Sequence, residues 1–133
     1  MESTKKTIRV VAALIEAGGK YLITQRRPTA VLPLLWEFPG GRVEDGEDDA
    51  TALKREMSIR LGADVEVGQL ISFVSHPYEH YTVDLYLYEC QLMKERLELR
   101  AVNSFRWVTS LEFDQYSFTP ADESSMNKLL GEE

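Results

Sequence analysis

Residues 36–63 constrain the fold of this chain more than any other segment, because a glycine-rich acidic turn passes directly into a helical pattern. Apolar side chains recur at every fourth position, at Leu53, Met57 and Leu61, which places them on one face of a helix. Acidic residues precede this pattern and Gly62 follows it, as is typical of the two ends of a helix. The segment therefore predicts a strand-like stretch at residues 36–38, an acidic turn, and an amphipathic helix that begins at residue 48 or 49 and ends at residue 61.

Stretches rich in β-branched and aromatic residues flank this segment and predict the strands of a sheet. The predicted strands are residues 7–15, 21–24, 65–74, 81–92 and 104–108. A turn at 17–20 joins the first two strands as a hairpin, loops are expected at 25–35 and 75–81, and Pro120 opens a last helix over 121–130. This order of elements predicts an α/β protein, an α/β/α sandwich with a mixed β-sheet between helices.

The composition narrows the classes of function. A chain of 133 residues suits one domain, residues 1–133. The net charge of −7 argues against a general binder of nucleic acids or anionic membranes, since such proteins need a basic surface. Cys90 is the single cysteine, so no internal disulfide is possible, and its apolar surroundings indicate a core position. The longest apolar run, residues 10–15, is far too short to cross a membrane, and we expect a cytoplasmic protein.

The spacing of the glycines and charged residues in the loop–helix segment resembles the Nudix box. That box runs glycine, five residues, glutamate, seven residues, Arg-Glu, an apolar residue, any residue, Glu-Glu, any residue and glycine. The matching positions here are Gly41, Glu47, Arg55, Glu56 and Gly62. Residues 105–108 and 118–122 also resemble segments of the MutT-like group. The chain thus resembles a MutT-like Nudix hydrolase along nearly its whole length.

The resemblance implies a reaction and a set of residues for it. MutT-like enzymes use Mg²⁺ and an attacking water to split a nucleoside triphosphate, or a related nucleoside diphosphate compound, into the monophosphate and pyrophosphate. By the same resemblance, Glu56 holds the metal, Glu47 and Arg55 brace the loop against the helix, and the backbone at Gly40 and Gly41 approaches the phosphates.

The chain departs from the family pattern at three acidic positions. Ile59 and Arg60 stand where the box has its Glu-Glu pair, and Ala101 stands where MutT-like enzymes often carry one more acid. Glu44 and the carbonyl of Gly40 are the oxygen ligands nearby that could complete a metal site. We therefore expect Mg²⁺, with Mn²⁺ as the alternative cation, to bind weakly.

Arg60 lies one helical turn after Glu56, so the two side chains share a helix face. Either they form an ordinary salt bridge, or the guanidinium takes the place of the missing metal and contacts phosphate oxygens. Two other functions stay open beside hydrolysis of a nucleotide. One is a catalytically weakened or inactive module that binds nucleotides or proteins, and the other is hydrolysis of a non-nucleotide diphosphate. The pair at Ile59 and Arg60 separates an active enzyme from the inactive module.

Four residues are candidates for binding a small-molecule nucleotide. Asp122 faces the nucleobase in the enzymes that the chain resembles, and its alternative role is to cap the last helix. Tyr78 is a candidate to stack on a base. Arg26 and Arg27 stand where MutT-like enzymes place a phosphate or base contact. We expect a monomer or a homodimer.

Overall fold

The computed structural model of the protein describes residues 5–94 and 96–130. Its strands are β1 (Lys6–Ala17), β2 (Lys20–Gln25), β3 (Trp36–Glu37), β4 (Gly40–Arg42), β5 (Val65–Pro77), β6 (Tyr81–Leu92) and β7 (Ser104–Val108). Its helices are α1 (Asp49–Leu61), a short 3-10 helix (Ser110–Gln115) and α2 (Pro120–Leu129). Among these residues, no helix is long and apolar enough to cross a membrane.

The sheet is mixed and is built around β1. The main strand order is β3-β2-β1-β6-β5, with β4 paired to β1 and β7 paired to β2. β1 runs parallel to β6 from the pair Lys6 and Tyr81 to the pair Ile15 and Cys90, and antiparallel to β2 and β4. The mixed sheet predicted from the order of elements is therefore confirmed.

The core lies on both faces of the sheet, because alternate side chains of β1 point in opposite directions. Val11 packs in one cluster with Leu53 and Met57 of α1. Ala12, the next residue, packs in the other cluster, which contains Ala121 of α2 and three phenylalanines. A helix covers each face, as the predicted sandwich requires.

Local chemistry fixes the ends of α1, the helix that supports the candidate site. The Asp48 side chain accepts a hydrogen bond from the backbone N–H of Thr51 and caps the first turn. Gly62 ends the helix with a left-handed φ of 61°, a backbone conformation that glycine adopts without steric cost. The bounds predicted from the sequence agree with this helix.

The structure differs from the local predictions in three places. The predicted loop over residues 75–81 is shorter, because Ser75, His76 and Pro77 continue β5 and pair with β6. The strand-like stretch at residues 36–38 contains β3, whereas β4 and the 3-10 helix were not predicted. They lie in segments with weak local signals, and contacts with distant parts of the chain stabilise them.

Candidate active site

Glu56 lies where α1 packs against β4. The residue is 9% exposed, and a Cβ added to Gly41 would lie 2.3 Å from its Oε1 atom. A Cβ on Gly40 would lie 1.9 Å from the carbonyl oxygen of Val11 in β1. The sequence placed these glycines in a phosphate loop, but they belong to a strand. Their missing side chains make room for β1 and for the Glu56 carboxylate, and a phosphate contact there stays a prediction.

Arg55 joins the loop before α1 to the helix itself. Its Nε donates to Glu47 Oε2 at 2.7 Å and its Nη2 to Glu47 Oε1 at 2.9 Å. Nη2 also donates to the Arg42 carbonyl at 2.9 Å, and Nη1 donates to Glu56 Oε2 at 2.5 Å. The hydrogen bond from Arg55 lowers the pKa of Glu47. The structure thus contains the pair expected between Glu47 and Arg55.

Arg60 occupies the other side of the Glu56 carboxylate. Its Nε donates to Glu56 Oε1 at 2.7 Å, and its Nη1 lies 3.8 Å from Glu37 Oε2. The salt bridge predicted from the helical spacing is therefore present. Ile59 is 51% exposed beside it, and Ala101 lines the same cleft.

These residues do not form a ready site for a divalent cation. Both oxygens of Glu56 already accept hydrogen bonds from guanidinium groups. In residues 5–94 and 96–130, no three His, Cys, Asp or Glu side chains are grouped to hold a metal. Glu44 is exposed in the turn before α1, where its backbone N–H donates to Glu47. Hard cations need several oxygen ligands, and one carboxylate neutralised by two arginines does not supply them.

Three adjoining clefts meet at Arg26. The first, of about 220 Å³, is lined by Arg26, Arg27, Glu56 and Arg60. The second, of about 380 Å³, is lined by Arg26, Tyr78 and Asp122 among mostly apolar residues. The third, of about 180 Å³, lies between them and includes Arg26, Arg60 and Asp122. The side chains that the sequence assigned to substrate binding are thus distributed along one groove.

Arg26 and Arg27 take different positions in this groove. The Nη1 atom of Arg26 donates to Glu37 Oε1 at 3.2 Å, and its Nε donates to the Val31 carbonyl at 2.7 Å. Arg27 is exposed, and its Nη2 donates to the Arg100 carbonyl at 2.6 Å. Arg26 therefore lines all three clefts, whereas Arg27 lines the first cleft, beside Glu56 and Arg60.

Tyr78 and Asp122 lie together in the second cleft. The Tyr78 ring stacks on Tyr81 with centroids 5.2 Å apart, and its hydroxyl accepts a hydrogen bond from the backbone N–H of Ala121 at 3.2 Å. Asp122 is 6% exposed and accepts hydrogen bonds from the Phe38 N–H at 3.0 Å and the Thr119 hydroxyl at 2.5 Å. The alternative that Asp122 caps α2 is wrong, because Thr119 occupies the N-cap position.

Glu37 is a second carboxylate in this groove that the sequence interpretation missed. Burial raises the pKa of Glu37, while Arg26 and Arg60 oppose that shift. Burial, followed by the nearby charge of Glu37, raises the pKa of Asp122 to about 7. The available signal was an acidic residue placed between the aromatic residues Trp36 and Phe38.

Comparisons with known proteins agree on one family. The model of the NUDIX domain matches residues 10–128. The chain is 33% identical over 117 residues to the CTP pyrophosphohydrolase of Escherichia coli K12, covering 88% of this chain and 87% of that protein. It is 35% identical over 86 residues to the 8-oxo-dGTP diphosphatase of Proteus vulgaris, covering 62% and 77%.

The fold matches solved structures of the same kind. The MutT protein of methicillin-resistant Staphylococcus aureus 252, described as a Nudix hydrolase, superposes with a TM-score of 0.75 at 38% identity, covering 96% of this chain and 98% of that one. The family model spans most of the chain, including the loop–helix segment. The chain therefore belongs to the Nudix hydrolases, as a member of the MutT-like group.

Proposed function

We propose that this protein hydrolyses a nucleoside triphosphate, or a related nucleoside diphosphate compound, to the monophosphate and pyrophosphate. The observation that carries the proposal is the continuous groove from the cleft of Asp122 and Tyr78 to the cleft of Glu56 and Arg60, with Arg26 common to both. A base and a phosphate chain need such a pair of connected sites. The names of the E. coli and P. vulgaris relatives, which specify nucleotide substrates, support the same class.

The base is proposed to enter the larger cleft, whose volume of about 380 Å³ lies within the range of roughly 300–1,000 Å³ usual for organic ligands. Tyr78 would offer an aromatic surface there. Asp122 would bond the edge of the base, accepting when ionised and donating when protonated. Arg26 would contact the substrate where base and phosphate clefts meet, and Arg27 would contact the phosphate chain.

Nudix hydrolases generally use a divalent metal, and we propose Mg²⁺, or Mn²⁺ in its place, as a weakly bound cofactor. Glu56 is the helix carboxylate that could ligate it, provided that the Arg60 guanidinium moves off its Oε1 atom, with the Gly40 carbonyl and Glu44 as the further oxygen ligands proposed from the sequence. A bound cation would neutralise charge on the phosphates. Because Mg²⁺ is often held by one or two carboxylates together with substrate phosphates, the ion would enter with the nucleotide.

A binding module that no longer hydrolyses is the second candidate. The observation that favours it is the double engagement of Glu56 by Arg55 and Arg60. A non-nucleotide diphosphate has less support, because the larger cleft carries the polar hydrogen-bonding group Asp122 among apolar walls. The cytoplasmic location and the monomeric or homodimeric state stay predictions.

The test is product release from a panel of nucleoside triphosphates, oxidised nucleotides and nucleoside diphosphate compounds, with Mg²⁺ and with Mn²⁺. Glu56→Gln should abolish the release of pyrophosphate or monophosphate, because it removes a charge at nearly constant shape. Glu66→Gln, on an exposed position of β5, is the matched control and should leave turnover unchanged.

Circular dichroism must show that both variants are folded. Full turnover by a folded Glu56→Gln variant would contradict the assignment of Glu56. No turnover of any compound by the wild-type protein, with tight nucleotide binding, would favour the binding module.

A further inference from the structure

The position of Arg60 conflicts with the metal-centred site that the family implies. Its guanidinium lies on the Glu56 carboxylate, at the helix position where the Nudix box has an acid. From this disagreement we propose that the cleft of Arg26, Arg27 and Arg60 binds a polyphosphate anion without any divalent cation, with Arg60 in place of the metal. The inference rests on the proposed function only in assuming a ligand that carries a phosphate chain.

The charge of the cleft favours an anion. Three arginines line it against the single lining carboxylate of Glu56, and Glu37 of the adjoining clefts pairs with Arg26. Its neutral members include Ile59 and Ala101, which replace acids of the family. Arginine presents a planar set of N–H donors that matches phosphate oxygens, and it is less strongly hydrated than lysine. A cleft with this balance attracts phosphate and repels a free cation.

Hydrogen-bond donors remain for a ligand. A guanidinium carries five N–H groups. Within the described part of the chain, Arg60 uses its Nε–H on Glu56, and its Nη1 lies 3.8 Å from Glu37, beyond hydrogen-bonding distance. Arg27 uses Nη2 on a backbone carbonyl. Both side chains are therefore held in place by protein contacts while N–H groups stay free to bond phosphate.

The size of the cleft agrees with a phosphate ligand. Its volume of about 220 Å³ lies below the range of roughly 300–1,000 Å³ that organic ligands usually occupy. The cleft opens at Arg26 onto the larger one proposed for the base. A phosphate chain placed at Arg60 would thus extend toward a nucleoside without leaving the groove.

Binding of inorganic tripolyphosphate in excess EDTA, measured by isothermal titration calorimetry, tests the proposal directly. The wild-type protein should bind, and Arg60→Gln should weaken binding by about tenfold or more, as the loss of a charged hydrogen-bonding group predicts. Arg106→Gln is the matched control, because Arg106 is an exposed arginine of β7 whose hydrogen bonds, among the described residues, go to Ser104 and Phe105. It should change the affinity by less than about twofold.

Two further variants keep the test clear of folding defects. Arg60→Lys retains the charge but not the planar donors, so its affinity should fall between those of the wild type and Arg60→Gln. The double variant Ile59→Glu with Arg60→Glu restores the acids of the box. It should lose tripolyphosphate binding in EDTA. It should also bind Mn²⁺ at a Mn²⁺ concentration of about 1 mM, at which the wild type binds none, as measured from the electron paramagnetic resonance signal of the free ion.

Several results would overturn the proposal. One is tripolyphosphate binding that requires Mg²⁺. Another is equal affinity of the wild type and a folded Arg60→Gln variant for tripolyphosphate. A third is tight binding of Mn²⁺ by the wild type in the absence of any phosphate ligand. Comparison of orthophosphate, tripolyphosphate and a nucleoside triphosphate in EDTA separates a phosphate site from a whole-nucleotide site. Because the readout is binding, loss of metal-free binding with intact hydrolysis refutes only this inference, and intact binding without hydrolysis refutes only the proposed enzyme.

Discussion

At the scale of single residues, Glu37 and Asp122 define one part of the groove, where the Asp122 carboxylate is buried and the Glu37 carboxylate is partly buried. Arg26 bonds Glu37, and the backbone N–H of Phe38 and the Thr119 hydroxyl bond Asp122. These bonds only partly offset the cost of burial, because the pKa of both acids is raised. Removing a proton from Asp122 therefore costs folding free energy.

The pH dependence of stability should reveal this cost. The pKa of Asp122 rises from 3.8 to about 7 on folding. Between these values the folded state holds a proton that the unfolded chain has lost, so stability falls as pH rises from about 4 to about 7 and levels off above. Asp122→Asn carries no such proton. Its stability relative to the wild type should increase across that window, measured by urea denaturation at several pH values.

Glu112 supplies a contrast for the same measurement. The pKa of Glu112 is lowered by hydrogen bonds from Thr109, so its contribution is present above pH 4.5 and is lost as pH falls below that value. The stability of Glu112→Gln relative to the wild type should therefore decrease as pH rises toward 4.5, which is the opposite trend to that of Asp122→Asn. A difference between Asp122→Asn and the wild type that stays constant from pH 4 to pH 7 would show that Asp122 is ionised throughout.

At the scale of elements, the attachment of the preceding loop to α1 depends on Arg55. Arg55→Ala should lower the free energy of unfolding by roughly 1–3 kcal/mol, because it leaves Glu47, Glu56 and the Arg42 carbonyl without their shared donor. Arg100→Ala is the control. Arg100 forms an exposed pair with Glu98, so its loss should cost about 0–1 kcal/mol. Thermal denaturation of both variants measures the difference, and equal melting temperatures would contradict the bracing role.

Elements with strong local signals were predictable from the sequence. α1 has helical spacing and caps at both ends, and β6 and β7 have the bounds that their apolar and β-branched residues predict. β4 was not predictable, since its glycines favour a loop and only pairing with β1 makes them a strand. The pair of Arg60 and Glu56 followed from helical spacing. The approach of Glu37 to Asp122 did not, because it depends on tertiary folding that joins distant segments.

At the scale of the whole molecule, β1 connects two cores that lie on opposite faces of the sheet. Leu22 belongs to one and Leu87 to the other, and both are fully buried. If the chain is a single domain, as the sequence predicts, the loss of either core must unfold both.

Leu22→Ala and Leu87→Ala should each lower the free energy of unfolding by roughly 2–5 kcal/mol. Each variant should also still unfold in a single transition that includes both cores. Trp107 packs against the first cluster and Trp36 against the second, so single-tryptophan variants can report the two faces separately. Denaturation midpoints that differ between the two tryptophans would indicate independent units.

The parallel ladder between β1 and β6 has a consequence for how the chain folds. It joins residues 6–15 to residues 81–90, so the central strand of the sheet cannot pair with β6 until most of the chain has been synthesised. Contacts between such distant residues make folding slow, because a long loop must close before they stabilise anything. During translation β1 is an apolar strand with open edges, and shielding by a chaperone at this stage would protect the nascent protein from aggregation.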